Sequence, residues 1–224
     1  MKAKYSSSLH TEFYQGNENI GLFLTATDKY VIVPDDSIDV SSLGVKRVFS
    51  RVYETSLIGL FFAGNSKCLL VPSGMEDEEI DNLKLNLPDG VKLHVLYTKE
   101  NALGNLILTN DKVTFISPVL ESKKNEIGKA LGTKIYVLDI EDRVLPAVFF
   151  VLTNKGFLCS NDVEEKYIKF VEEESGLKGD YGSVNFGSIF LKAGLVANSN
   201  MYIAGGRTTG PETSRIDKCL GFIK

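Results

Sequence analysis

Residues 102–118 read ALGNLILTNDKVTFISP. Two apolar runs, rich in β-branched and aromatic residues, flank the polar tetrapeptide Thr109–Lys112. Asn and Asp favour tight turns because their short side chains bond to the local backbone and tolerate left-handed geometry. The pattern therefore predicts a β-hairpin that starts near a small residue, Gly104, and ends at Pro118.

The same order of residue types occurs five times along the chain, with the hairpin turns roughly 40 to 50 residues apart. The five copies are Ile20–Pro34, Leu57–Pro72, Ala102–Pro118, Ala147–Asn161 and Phe186–Gly206. A repeat of this length is typical of arrays and propellers rather than of an irregular domain.

Helix signals follow the hairpins. Ser73–Glu76 is a candidate capping box, acidic residues fill the next turn, and Ile80, Leu83 and Leu87 recur at helical spacing. Other helices are expected from Asp162, from Ser117–Pro118 to Gly132, and from the Thr208–Pro211 region to Gly221, with a short candidate at 36–43. Extended segments follow at 45–52, 91–97 and 134–140. The unit is a hairpin, a helix and a strand.

One such unit cannot bury its apolar face alone, so the copies must stack. An open array needs polar terminal repeats, whereas GLFLTA in the first copy and GSIFLK in the fifth are as apolar as the middle copies. We therefore predict an α/β (α+β) ring of five small sheets with helices outside. The ring forms a single domain, 1–224, with repeats at about 1–50, 51–97, 98–140, 141–183 and 184–224.

Composition excludes several classes of protein. The chain has 224 residues, of which 43% are hydrophobic, and a formal net charge of −4, which argues against a non-specific nucleic-acid-coating protein. No apolar run reaches the roughly 20 residues of a membrane-spanning helix, and no signal peptide is evident. Cys68, Cys159 and Cys219 lack metal-ligand spacing and are interpreted as reduced, packed thiols of a cytoplasmic protein.

Candidate catalytic groups are sparse. The two histidines, His10 and His94, have no metal-ligand neighbour at helical spacing, so no metal site is predicted. The acidic runs 76–79 and 172–174 are interpreted as solvated helix faces. No cofactor is expected.

Four motifs resemble the translation initiation factor 6 family: CLLVP at 68–72, ALGNLILTND at 102–111, LTNKG at 152–156, and LVANSN at 195–200 followed by GGRTTGPE at 205–212. The resemblance covers essentially the whole chain. It implies the five-fold pentein fold, and the stop at Lys224, without the tail of eukaryotic members, suggests an archaeal-type member.

The resemblance also implies a function. Members bind the large (50S) ribosomal subunit on its subunit-joining face and sterically prevent association with the small subunit, in initiation and in ribosome maturation. The expected partner is an L14-type ribosomal protein near the sarcin–ricin loop, with at most a minor rRNA contact. A monomeric, cytoplasmic protein without enzyme activity or membrane contact is expected.

The family's ribosome-facing loops start each hairpin. The matching positions are Gly21, Leu22, Gly59, Leu60, Gly104, Asn105, Val148, Phe149, Gly187 and Ser188. Asn105 is the strongest candidate, because its amide offers both a donor and an acceptor. Leu60 and Phe149 are interpreted either as apolar anchors of the contact or as ordinary core, and both alternatives remain open.

Two other classes remain as alternatives. A pentein enzyme acting on guanidino carbons needs a nucleophilic Cys with a His and carboxylates around the axis, and no such set is evident here. A ring that binds proteins without a ribosomal role is the second alternative.

Overall fold

The computed structural model describes residues 11–141 and 143–223. Within them, the chain forms five three-stranded sheets, one around each hairpin, and the α/β ring expected from the sequence is confirmed. The strands are β1 Thr11–Glu12, β2 Thr25–Ala26, β3 Tyr30–Val33, β4 Lys46–Phe49, β5 Ala63–Gly64, β6 Cys68–Pro72, β7 Lys92–Leu96, β8 Ile107–Thr109, β9 Val113–Ile116, β10 Lys134–Val137, β11 Phe150–Leu152, β12 Phe157–Ser160, β13 Gly179–Gly182, β14 Leu195–Ala197 and β15 Tyr202–Gly205.

Every sheet has the same topology. The second hairpin strand is central, pairing antiparallel with the first hairpin strand and parallel with a third strand. In four sheets the third strand follows the helix of its own repeat, as the hairpin–helix–strand unit predicts. In the fifth it is β1, whose Thr11 and Glu12 pair with Ala204 and Gly205. The fifth sheet is thus completed by the first strand of the described chain.

The helices that follow the hairpins lie where the sequence places them, with shifts at their ends. The helices of the described residues are α1 Ile58–Phe61, α2 Asp77–Asn86, α3 Leu103–Leu106, α4 Lys124–Leu131, α5 Glu165–Ser175, α6 Leu191–Gly194 and α7 Gly210–Cys219, with 3₁₀ turns at Ile20–Leu22, Ser41–Leu43, Pro118–Lys123 and Pro146–Phe149. The short helices α1, α3 and α6 are not expected from the sequence, which predicts these stretches as the starts of hairpins. The N-cap of α2 is Glu76 rather than Ser73, because the Glu79 carboxylate reaches back to the Glu76 amide. In the first repeat the helix is only the turn Ser41–Leu43.

Five separate apolar cores hold the ring together, and each is shared by two neighbouring copies. The core between the second and third copies, for example, joins Cys68 and Leu70 to Leu103, Leu106 and Ile127. The last of the five joins the fifth copy to the first, through Val196 and Ile203 against Ile20 and Val31. Because every repeat buries its apolar side chains against both neighbours, no repeat is left with an exposed apolar end.

Candidate functional site: the axial face

Five short helical turns meet around the pseudo-five-fold axis, each leading into the first strand of its hairpin. We call them the axial turns: Ile20–Leu22, Ile58–Phe61, Leu103–Leu106, Pro146–Phe149 and Leu191–Gly194. Each one contacts its neighbours in chain order, and the fifth contacts the first. The surface that they form at this end of the ring is the axial face.

In the first three axial turns the second residue is glycine, because two backbones touch there. A Cβ atom on Gly59 would overlap the carbonyl oxygen of Gly21, and one on Gly104 would overlap the carbonyl oxygen of Gly59. Gly21 itself lies against the carbonyl oxygen of Lys192. These glycines are buried, so Gly21, Gly59 and Gly104 serve ring closure and offer no side chain to a ligand.

The third residue of each axial turn is partly exposed, whereas the first is buried. The five residues in this third position are Leu22, Leu60, Asn105, Val148 and Ala193. Asn105 is the one polar residue among them. Its backbone amide donates to the carbonyl of Ala102 at 3.0 Å, but its side-chain amide makes no hydrogen bond within the described residues. That side chain is therefore available to a partner.

Phe149 lies deeper than a surface anchor would. It is 7% exposed, its ring packs under the guanidinium of Arg143 at 4.3 Å from the ring centroid, and it contacts the ring of Phe190 at 5.9 Å. Phe190 is 51% exposed, so it is the aromatic residue of this pair that reaches solvent. The sequence pattern did not single out Phe190, since it falls inside an unbroken apolar run. Leu60 remains partly exposed.

Gly187 and Ser188 do not belong to the fifth axial turn. They close the loop 184–188, in which Ser188 and Val184 exchange backbone hydrogen bonds, and the axial turn begins at Leu191. Gly187 has a φ of +96°, and its amide donates to the Glu212 carboxylate at 2.8 Å. The residues equivalent to Gly21 and Leu22 are consequently Lys192 and Ala193. Sequence alignment by small residues missed this because the fifth copy has a lysine at the small position.

Glu212 organises the loop before the fifth axial turn. It receives hydrogen bonds from Ser183, Phe186, Gly187 and Thr209. Burial alone would raise the pKa of Glu212, but these hydrogen bonds outweigh burial and lower it. Thr209 and Glu212 also form the capping box of α7, which confirms that they begin the last helix.

The opposite end of the ring is held by a belt of hairpin turns. We call residues 27–28, 65–66, 110–111, 153–154 and 198–199 the turn belt. Asn110 illustrates it: the side-chain oxygen accepts from the amides of Lys112 and Val113, and the side-chain nitrogen donates to the Thr153 carbonyl at 2.9 Å. Each such asparagine thus folds its own turn and binds the next copy.

The side chain of Asn154, in the fourth copy, binds the first and the third copies within this belt. Its side-chain nitrogen donates to the carboxylates of Asp28 and Asp111, at 2.8 and 2.7 Å. Asp111 also accepts from the amide and hydroxyl of Ser66. Both carboxylates are therefore committed to holding the belt together.

An axial cavity of about 80 Å³ runs between the axial turns and the turn belt. All five first strands line it, and the last residue of each strand belongs to the wall: Ala26, Gly64, Thr109, Leu152 and Ala197. Lys192 closes the cavity at the axial face, where its ammonium donates to the carbonyl oxygen of Gly104. Burial lowers the pKa of Lys192 to about 8.

The described residues do not bring together the groups that guanidino chemistry would need. The axial cavity is lined by neither cysteine nor histidine. Burial raises the pKa of the Cys68 and Cys219 thiols to about 11 and that of Cys159 further, so all three are protonated at neutral pH. His94 does not line the axial cavity; its Nε2 lies 3.0 Å from a carboxylate oxygen of Glu126. His10 lies outside the described residues.

The described residues hold neither a cluster suited to a metal ion nor a helix that could span a membrane. No three His, Cys, Asp or Glu side chains converge as they would around a metal ion. None of the helices combines the length and apolarity needed to traverse a bilayer.

Comparison with known proteins matches residues 10–219 to the eIF-6 family. The chain is 38% identical over 215 residues to translation initiation factor 6 of Saccharolobus islandicus strain L.S.2.15, covering 92% of this chain and 96% of the relative. It is 34% identical over 224 residues to translation initiation factor 6 of Methanocaldococcus jannaschii, covering 95% and 97%. Because the family match spans nearly the whole described ring, the chain belongs to the eIF-6 family.

Proposed function

We propose that this chain is a translation initiation factor that binds the large ribosomal subunit through its axial face and thereby blocks association with the small subunit. Its place of action is the cytoplasm, it works as a monomer, and its partner is an L14-type ribosomal protein near the sarcin–ricin loop. The mechanism is steric. A ring locked by five shared cores, closely packed axial turns and a hydrogen-bonded turn belt loses little entropy on binding, so it can act as a rigid spacer.

The unpaired side chain of Asn105 is the observation that best supports the proposal. Among five equivalent, partly exposed positions of the axial face it alone is polar, and its amide has no partner within the described residues. An unpaired amide on a face whose equivalent positions include Leu22, Leu60 and Val148 would pay a desolvation cost at an interface unless the partner hydrogen-bonds to it. The face therefore suits a partner that supplies apolar contact and a backbone donor or acceptor.

The charge of the axial face favours a protein partner over RNA. Lys192 is the one ionisable residue in the five axial turns, and its ammonium points into the ring towards Gly104. Binding to RNA is normally dominated by Lys and Arg contacts with phosphates. Because the centre of the axial face presents no cationic side chain to a partner, it favours an apolar, hydrogen-bonded contact. Any rRNA contact would be confined to the rim of the face.

The test is a subunit-joining assay. Purified large and small subunits are mixed with the protein and separated on a sucrose gradient. We expect the protein to migrate with the large subunit and the joined particle to disappear. Joined particles that persist at saturating protein would contradict the proposal, and a catalytic or purely non-ribosomal ring would give that result.

Substitution of Asn105 by Ala tests the face itself. Loss of its hydrogen bonds should weaken large-subunit binding by about tenfold, equivalent to about 1.4 kcal/mol, without changing the thermal midpoint. Asn125→Ala is the matched control, since Asn125 is exposed on α4, outside the axial turns. Equal binding by the two variants would remove Asn105 from the site.

A further inference from the structure

Lys192 stands where the other copies have their smallest residues. The equivalent positions hold Gly21, Gly59, Gly104 and Ala147, all of them buried. The fifth axial turn keeps the same backbone path, since the carbonyl oxygen of Lys192 packs on Gly21 as that of Gly21 packs on Gly59. Its side chain, however, leaves the turn and enters the axial cavity.

This side chain connects two copies that are not neighbours in the ring. The Lys192 ammonium, in the fifth copy, donates to the carbonyl oxygen of Gly104 in the third. Gly104 is directly followed by Asn105, so the bonded peptide group is the one that leads into the candidate contact residue. Lys192 therefore packs on Gly21 through its backbone and holds Gly104 through its side chain.

The charge on Lys192 is poorly compensated. Among the described residues its hydrogen-bond partner is a neutral carbonyl, and no carboxylate lines the part of the axial cavity that the Lys192 side chain enters. A buried ammonium with a neutral partner costs stability, whereas an unbranched apolar side chain of similar length would not. A gain in the stability of the fold therefore does not explain why this position holds a lysine.

We propose that Lys192 is a positioning residue for the axial face: its ammonium holds the Gly104 carbonyl and so fixes the orientation in which Asn105 is presented. A charged donor binds a carbonyl about twice as strongly as a neutral one. Deprotonation of Lys192 should consequently loosen α3 and weaken the presentation of Asn105. The link from Asn105 to subunit binding rests on the proposed function, whereas the coupling of Lys192 to Asn105 does not.

In the described part of the chain, few other groups can titrate beside Lys192. The elements packed on α6 are the axial turns Ile20–Leu22 and Pro146–Phe149 and the strands β11, β12 and β14. Among them, only Cys159 of β12 is titratable, and its thiol is buried in the apolar core and donates to the carbonyl of Ser160. The carboxylates of Asp28 and Asp111 lie at the far end of the axis, in the turn belt. A transition near pH 8 within α3 can thus be assigned to Lys192, whose pKa burial lowers to about 8.

The coupling is measured on the free, full-length protein labelled with ¹⁵N. Between pH 6.5 and 9.5 we expect the Gly104 backbone amide and the Asn105 side-chain amide to shift with a midpoint near pH 8. In Lys192→Met both signals should be displaced from their wild-type positions and stay constant with pH. Lys129→Met is the matched control, since Lys129 is exposed on α4, and it should titrate like the wild type.

A chemical rescue separates positioning from bulk packing. Lys192→Ala empties part of the axial cavity, and millimolar propylammonium should refill it and return the Asn105 signals towards their wild-type positions. Tetramethylammonium, which has no N–H donor, should not. Should Lys192→Met or Lys192→Ala fail to fold, the wild-type titration alone still decides the coupling.

Subunit binding then tests the consequence. Between pH 7 and pH 9 the wild type should lose roughly tenfold in affinity relative to Lys192→Met, whose weaker binding should not vary over this interval beyond the effect of pH on the subunits. The proposal is overturned if the Asn105 signals neither titrate near pH 8 nor respond to Lys192→Met. If they do respond but no form of the protein binds subunits, the proposed function fails while the positioning role stands.

Discussion

At Gly104 the backbones of two repeats approach so closely that no side chain fits between them. A Cβ atom there would overlap the carbonyl oxygen of Gly59 and come within 2.8 Å of that of Leu60. Both obstacles are backbone atoms, which cannot rotate away as the end of a side chain can. The residue type at this position is therefore dictated by ring closure.

Gly104→Ala should lower the free energy of unfolding by about 1–3 kcal/mol or more, because the backbone of two axial turns must separate to admit the methyl group. The measurement is urea unfolding followed by circular dichroism. Asn125→Ala is the control: Asn125 is exposed on α4, so the midpoint of this variant should stay the same. Equal midpoints for the two variants would show that the axial turns can separate at no cost.

At the scale of single elements, the hairpin turns explain why Asn recurs in the copies. The Asn110 side chain satisfies two amides of its own turn and one carbonyl of the next copy, and it is buried. Asn65 and Asn198 act in the same way on the carbonyls of Asn110 and Thr27. A turn residue read from sequence as local chemistry is thus also the bond between neighbouring repeats.

Asn110→Ala should destabilise the ring by about 2–4 kcal/mol, because it leaves two amides and one carbonyl without partners in a buried site. Chemical unfolding monitored by tyrosine fluorescence measures the change. Exposed Asn125, on α4, serves as the matched control, and its replacement by Ala should change stability by less than about 0.5 kcal/mol. A cost at Asn110 no larger than this would contradict a bonding role for the turn belt.

The loop before the fifth axial turn depends on an ionised Glu212. Hydrogen bonds to its carboxylate, which outweigh burial, place its pKa below that of the unfolded chain. The stability that it contributes is therefore present above the unfolded pKa of about 4.3 and is lost as pH falls through the lowered folded pKa.

Acid unfolding tests this dependence. Between pH 5 and pH 3 the free energy of unfolding should fall more steeply for the wild type than for Glu212→Gln, which should already be less stable at pH 7. Glu78→Gln, at an exposed position in the first turn of α2, should follow the wild type. Parallel pH profiles for wild type and Glu212→Gln would mean that the carboxylate contributes no pH-dependent stability.

At the scale of the whole molecule, the ring is symmetric in its cores and asymmetric on its axial face. The five cores repeat the same packing of neighbouring sheets. The third positions of the axial turns differ, and an exposed apolar side chain directly precedes the fourth and the fifth turn, at Leu145 and Phe190. An asymmetric partner can use these differences to bind the ring in a single orientation.

Salt dependence of large-subunit binding tests the apolar character of that contact. Because the five axial turns carry one ionisable residue, we expect affinity to fall by less than about tenfold between 50 and 200 mM salt. A protein making 6 to 10 phosphate contacts would lose roughly 10³ to 10⁵ over the same interval. Co-sedimentation across a salt series gives the measurement, and a steep loss would indicate an RNA-dominated contact.

The amino-acid sequence by itself determined the repeat, the hairpins, most of the helices and the ring, because hydrophobic period, turn residues and caps are local signals repeated five times. It also identified Asn105 as the strongest candidate contact residue. Only the tertiary structure decided that β1 completes the fifth sheet, since two residues carry no pattern, and that Phe149 is buried while Phe190 reaches solvent. It also decided that Lys192, not Gly187, holds the fifth axial position. A lysine at a glycine position is accommodated only where the ring leaves an axial cavity, and a cavity arises from the assembly of all five copies.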